Sequence, residues 1–161
     1  MLRTILAALA LSAAALPAAA QSMSAKDPGR AFMEAIAMGT DTDRDRRLAP
    51  AEMRVLATAA FDLADADSNG VVTRTELEAA DFGMNALAAH RGRGQAMETA
   101  TALMFAFADR DHDGSIDGVE HAAAARLAAD LADTDGDGAM SYAEFYDGYM
   151  FNMAYRAALH Y

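Results

Sequence analysis

Acidic residues recur in a twelve-residue pattern that appears four times along the chain. The four segments are residues 41–52, 65–76, 109–120 and 133–144, named loops one to four below. Each has Asp at positions 1 and 3, Asp or Asn at position 5, an apolar residue at position 8 and Glu at position 12. A hard divalent cation takes about six to eight oxygen ligands, more than any one side chain supplies. Carboxylates at this spacing converge when the chain curls around such an ion.

The pattern gives each loop a set of candidate metal ligands. Positions 1, 3 and 5 offer side-chain oxygens, position 7 a backbone carbonyl, position 9 a group that often acts through water, and position 12 two carboxylate oxygens. The candidates are Asp41, Asp43, Asp45, Arg47 and Glu52 in loop one; Asp65, Asp67, Asn69, Val71, Thr73 and Glu76 in loop two; Asp109, Asp111, Asp113, Ser115, Asp117 and Glu120 in loop three; and Asp133, Asp135, Asp137, Ala139, Ser141 and Glu144 in loop four. Solvated acidic turns would not place Glu at position 12 every time.

The loops are not equivalent at position 6, where the chain turns sharply. Gly70, Gly114 and Gly138 permit the positive φ that the turn needs. Loop one has Arg46 there, which costs on the order of 1 kcal/mol of backbone strain. Loop three has an acidic residue at every side-chain ligand position, including Asp117 at position 9. We therefore expect loop one to be the weakest site and loop three the tightest.

The repeated loop resembles the calcium loop of the EF-hand family, and the resemblance covers most of the chain beyond residue 20. It implies an all-α bundle of about six helices, with short strands pairing between the loops. It also implies up to four Ca²⁺ ions, with Mg²⁺ or a lanthanide as competitors. Calcium ions would be the partners, and any protein partner is unknown.

The close spacing of the loops is also similar to lanmodulin, a periplasmic family that binds lanthanides. That family has Pro at position 2 of its loops and favours Asp at position 9. The present chain has Asp at position 9 only in loop three, and its position-2 residues are Thr42, Ala66, Arg110 and Thr134. Lanthanide binding therefore stays an alternative to calcium binding.

The loops form two units, residues 41–76 and 109–144, joined by a linker at residues 77–108. Within the units, residues 53–64 and 121–132 are too few for two helices and a turn, and they contain neither Gly nor Pro. One helix must therefore leave one loop and enter the next, which holds the two loops apart. Loop two is then expected to pair with loop three, and loop one with loop four. The expected contacts are Val72 with Ile116 and Leu48 with Met140.

The remaining segments are predicted to be helical. One helix runs from residue 28 or 29 to 39, two more span residues 77–90 and 95–108 around a turn, and a last one runs from 145 to about 160. Met97, Met104 and Phe105 lie at helical spacing, which is typical of a core and also of a groove for a partner helix. The last helix either folds back on the bundle or binds a partner.

The first residues have the pattern of a signal peptide at 1–20. Arg3 precedes an apolar run at residues 4–16, and small residues at 18–20 form a cleavage pattern, so that the mature chain begins at Gln21. The apolar run is shorter than the ~20 residues that span a bilayer, so no stable membrane insertion is expected after cleavage. The sequence predicts a periplasmic or secreted protein with a flexible lead-in at 21–28 and a four-loop domain at 29–161.

Composition narrows the function classes. The chain has no Cys, which rules out disulfides and thiolate ligands, and its net charge of −11 disfavours nucleic acid and anionic membranes. The four His are scattered, and neither a Ser/His/Asp arrangement nor a phosphate-binding Gly motif is present, so we do not expect an enzyme. The expected function is calcium binding as a buffer or a structural or sensor module. A calcium-dependent adaptor that presents a Met and aromatic groove is the alternative.

Overall fold

The computed structural model describes residues 28–80 and 84–159. The predicted signal peptide and residues 21–27 of the predicted lead-in lie outside these ranges. The fold in the described ranges consists of eight helices and two short antiparallel strand pairs. None of these helices has both the length and the apolar character needed to span a membrane.

The elements follow one another in the order helix, strand, helix through each loop. They are α1 (Pro28–Thr40), β1 (Arg47–Leu48), α2 (Pro50–Ala64), β2 (Val71–Thr73), α3 (Arg74–Ala79), α4 (Met84–His90), α5 (Gly94–Ala108), β3 (Ser115–Asp117), α6 (Gly118–Ala132), β4 (Met140–Ser141), α7 (Tyr142–Asp147) and α8 (Met150–Leu159).

Helices α2 and α6 confirm that a single helix joins the loops within each unit. Each has 15 residues, begins at position 10 of one loop and ends directly before position 1 of the next. Ala and Leu dominate both sequences and favour helix, and Pro50 at the first turn of α2 needs no backbone N–H donor there. The two helices pack against each other and so hold the two units together.

The strands confirm that loops pair across the two units. In one pair Leu48 lies opposite Met140, and in the other Val72 lies opposite Ile116. All four side chains are buried, and each pair lies in its own apolar cluster. A third cluster lies between α4, α5 and α8. The position-8 residues therefore supply the buried contact between the two loops of each pair.

Two predicted helices are each divided in two, so the described ranges contain eight helices rather than about six. The predicted helix at 77–90 becomes α3, which ends at Ala79, and α4, which begins at Met84. The predicted helix at 145–160 is interrupted at Gly148, where the N–H groups of Gly148 and Tyr149 both donate to the Glu144 carbonyl. Helix α7 therefore ends at Asp147, and α8 begins at Met150.

Helix α8 folds back on the bundle, where it packs against α5. Ala158 and Leu159 near its end are buried, and the Arg93 guanidinium donates to the Ala158 carbonyl at 3.1 Å. A cation at a helix C-terminus satisfies carbonyls that have no partner within the helix. Met97 and Met104 of α5 are buried as well, which agrees with a core role.

Replacing Gly148 by Ala is expected to destabilise the protein by about 1–3 kcal/mol, because the added methyl overpacks the bend. A Cβ at Gly148 would lie 3.0 Å from the Glu144 carbonyl oxygen and 3.2 Å from the Cα of Ala132. Urea unfolding followed by circular dichroism measures the change. Gly39→Ala in α1 is the matched control, because its Cβ would meet nothing within 4 Å and the helix gains propensity. Equal effects of the two substitutions would contradict this explanation.

Candidate metal centres

Each loop brings three carboxylates together, with ligand oxygens within 4.8 Å of one another. In loops two, three and four the carboxylates come from positions 1, 3 and 12, whereas in loop one they come from positions 1, 3 and 5. The groups are Asp41, Asp43 and Asp45; Asp65, Asp67 and Glu76; Asp109, Asp111 and Glu120; and Asp133, Asp135 and Glu144. Clustered oxygen ligands of this kind suit a hard divalent cation.

A tight backbone turn points the position-6 N–H of each loop toward the position-1 carboxylate. The residue at position 6 has positive φ and donates its N–H to the position-1 carboxylate, as Gly138 does to Asp133 at 2.8 Å. Arg46 adopts the same conformation in loop one, with φ of 67°, and donates to Asp41 at 2.8 Å. The strain predicted at Arg46 is therefore present, because a side chain occupies a position suited to Gly.

The glutamate at position 12 closes each loop. Glu144 accepts hydrogen bonds from the backbone N–H of Thr134 at 2.8 Å, from its hydroxyl at 2.7 Å and from the N–H of Ser141 at 2.9 Å. These bonds, the Thr134 hydroxyl first, lower the pKa of Glu144 to about 2. The carboxylate is therefore charged at neutral pH, which suits a cation ligand.

In loops two to four the side chain at position 9 also caps the helix that follows, a role that the ligand pattern alone did not predict. Thr73 and Ser141 accept the N–H of the position-12 glutamate, and Asp117 accepts those of Val119 and Glu120. The signal is present in the sequence as a capping box, with Ser, Thr or Asp three residues before Glu. Oδ1 of Asp117 is thus occupied by hydrogen bonds from the helix, and Asp117 lies outside the acidic cluster of its loop.

The position-5 side chain belongs to the acidic cluster in loop one and borders it in the other three loops. The side chains at position 5 accept the N–H of position 7, at 2.8 Å for Asp45, 2.9 Å for Asn69, 2.8 Å for Asp113 and 3.0 Å for Asp137. The position-7 residues Arg47, Val71 and Ser115 each begin a strand, and Ala139 directly precedes β4. Position 5 therefore has one oxygen held by the turn in every loop.

Asp41 in loop one is more fully hydrogen-bonded than a free ligand would be. Its Oδ1 accepts the N–H of Arg44 at 2.7 Å, and its Oδ2 accepts both the N–H of Arg46 and the hydroxyl of Tyr142 at 2.8 Å. Burial raises the pKa of Asp41, but these hydrogen bonds outweigh burial and the net pKa is lowered. Burial and the bond to Asp41 raise the pKa of Tyr142 to about 12. No spacing in the sequence signals Tyr142, because its position depends on the register of β1 and β4.

Asp109, the position-1 carboxylate of loop three, has fewer hydrogen bonds than Asp41. Asp109 is only 7% exposed, and its Oδ1 is buried without a hydrogen-bond partner among the described residues. A buried carboxylate oxygen without a partner is costly, because it loses its hydration and gains nothing in return. A divalent cation beside Asp111 and Glu120 would satisfy it. The residues present therefore fit a calcium ion.

Comparison with known families agrees with this geometry. Residues 56–80 and 102–118 match the family described as EF hand, and these ranges include loop two and most of loop three. No curated protein and no solved structure matches the chain. The family match at these two ranges and the four acidic clusters are consistent with EF-hand loops and support calcium binding.

Proposed function

We propose that the protein is an exported calcium-binding protein that acts as a buffer or a structural module. Loops two, three and four take up calcium, with loop three tightest and loop one weakest. The unpartnered Oδ1 of Asp109 carries this proposal, because a cation is the partner that its neighbours Asp111 and Glu120 can hold together with it.

The order of affinities follows from how each position-1 carboxylate is satisfied. Calcium at loop three gains a ligand oxygen that has no other partner. Calcium at loop one must instead compete with the Tyr142 hydroxyl for Asp41. The arginines of loop one add unfavourable positive charge near the ion. Calcium binding is therefore expected to be least favourable at loop one.

A buffering or structural role is favoured over that of an adaptor. Met97, Met104 and Phe105, which could line a partner groove, are buried in the core. The predicted leader supports export to a compartment where calcium can be high. Extracellular calcium modules bind at roughly 10⁻⁴–10⁻³ M, so such sites stay largely filled there.

The test begins with expression of the full chain in a bacterial host and recovery from the periplasmic fraction. Intact mass is expected to show loss of residues 1–20. Calorimetric titration of the recovered protein with Ca²⁺ is expected to show three sites and a weaker fourth, with Mg²⁺ and La³⁺ titrations measuring competition. Absence of calcium binding below millimolar concentration would overturn the proposal of a calcium-binding protein, and retention in the cytoplasm would overturn export.

A further inference from the structure

An ion pair joins loop one to loop four across the β1–β4 strand pair. The guanidinium of Arg47, at position 7 of loop one, contacts Oδ2 of Asp137, at position 5 of loop four. Both side chains are 36% exposed, but the contacting Nη2 atom of Arg47 is shielded from solvent. The contact follows from register, because Arg47 lies opposite Ser141 and its side chain reaches back over loop four.

The contact occupies the oxygen of Asp137 that a metal would need. Oδ1 of Asp137 already accepts the N–H of Ala139 at 3.0 Å, as the position-5 side chain does in every loop. Oδ2 is then the oxygen left for a cation, and Arg47 holds it. A guanidinium and a calcium ion compete for this one oxygen, because each weakens the other's contact with it.

The other strand pair lacks this feature. The residues at position 7 of loops two and three are Val71 and Ser115, neither of which carries charge. Among the ion pairs formed by residues 28–80 and 84–159, Arg47–Asp137 is the one that involves a loop carboxylate. Loop three therefore serves as an internal reference for a position-5 aspartate, Asp113, without a competing cation.

A second contact runs from loop four to a candidate ligand of loop one. Tyr142, at position 10 of loop four, donates its hydroxyl to Oδ2 of Asp41 at 2.8 Å. Each loop of the pair thus places one side chain against a candidate ligand of the other. The contacts are reciprocal, and both engage oxygens that calcium would use.

We propose that Arg47 is a built-in competitor that lowers the calcium affinity of loop four, so that loop one regulates its partner while binding calcium poorly itself. This inference rests on the proposed calcium binding. Calcium entering loop four displaces the guanidinium from Asp137 and frees Arg47. Loop four then fills after loop three, although both have Gly at position 6 and Asp at positions 1, 3 and 5.

The test follows the amides of Gly70, Gly114 and Gly138 by ¹H–¹⁵N NMR during calcium titration of the protein recovered after export. Each N–H donates to the position-1 carboxylate of its own loop, so each signal reports one loop. Arg47→Gln is expected to lower the calcium midpoint reported by Gly138 by about 1.4- to fivefold, the range for an exposed ion pair, and to leave the midpoints reported by Gly70 and Gly114 unchanged. In the unsubstituted protein, the Arg47 side-chain N–H signals are expected to change at the Gly138 midpoint.

Arg44→Gln is the matched control, because it removes the same charge from loop one without touching Asp137. If both substitutions shift Gly138 equally, or Arg47→Gln shifts nothing, direct competition is overturned. Loss of the metal-free spectrum in Arg47→Gln would reveal unfolding, and constancy of the Arg47 side-chain signals in the unsubstituted protein would then overturn the proposal. If the Gly70 and Gly114 amides respond to calcium but Arg47→Gln leaves the Gly138 midpoint unchanged, only this inference fails. If none of the three responds, calcium binding itself fails and the inference with it.

Discussion

Replacing Glu120 by Gln is expected to lower the calcium affinity of loop three by at least about 100-fold. One oxygen of Glu120 accepts the N–H of Arg110 at 2.8 Å, and the other accepts that of Asp117 at 3.1 Å, so the carboxylate closes the loop beside Asp109. Gln keeps the size but loses the charge and one acceptor. Substituting a residue that merely positions a ligand costs about 10–100-fold, so losing a two-oxygen ligand costs at least the upper figure. Calorimetric titration measures the loss, and the Gly114 amide assigns it to loop three.

Glu78→Gln is the matched control for this substitution. Glu78 lies outside the loops and pairs with Arg74 on an exposed face of α3, so it undergoes the same change of charge without touching a candidate ligand. Circular dichroism of metal-free Glu120→Gln separates loss of binding from loss of fold. Unchanged affinity in Glu120→Gln, or an equal loss in Glu78→Gln, would show that loop three does not hold the ion as described.

Calcium is expected to stabilise the folded protein strongly. At a hundred times its dissociation constant, an ion that binds only the native state adds about 2.7 kcal/mol to the free energy of unfolding, or about 8 kcal/mol for loops two to four together. The metal-free chain has its acidic residues clustered in the loops and a net charge of −11, so repulsion destabilises it. Urea unfolding followed by circular dichroism, in chelator and in excess calcium, measures the difference.

The control for this stabilisation is a chain with Gln in place of Glu76, Glu120 and Glu144. It keeps every apolar core residue, and calcium is expected to stabilise it by no more than about 2.7 kcal/mol, the contribution of loop one alone. Magnesium, which demands a stricter geometry, should stabilise the unsubstituted chain less than calcium does. Identical urea midpoints in chelator and in calcium would mean that the loops do not bind the ion in the folded state.

The sequence predicts the loops and their pairing because both depend on local chemistry. Ligand spacing identifies each loop, and an apolar residue at position 8, such as Val72 or Ile116, supplies the buried contact between two loops. The pairing across the units follows from length alone, since α2 and α6 are single helices that keep consecutive loops apart. Both constraints act within a single loop or a single connecting helix, so the local sequence is enough to show them.

The helix break at Gly148 and the contacts between loops could not be predicted in the same way. Phe145, Tyr149 and Met153 recur at helical spacing and indicate one continuous helix, yet the chain bends where Gly148 packs against Ala132 of α6. The Arg47–Asp137 and Tyr142–Asp41 contacts depend on the register of two strands distant in sequence. Such contacts appear only once the tertiary arrangement is known.

Strands β2 and β3 lie between β1 and β4 in the sequence, so the two strand pairs are nested. This nesting affects the order in which the pairs can form. The entropic cost of closing a chain segment grows with the number of residues enclosed, so the inner pair forms at the lower cost. Once formed, it draws the ends of the outer segment together and reduces the remaining cost. During synthesis β1 has no partner until β4 emerges. A chain that stops before Met140 therefore leaves Leu48, only 1% exposed in the complete fold, open to solvent and to association with other chains.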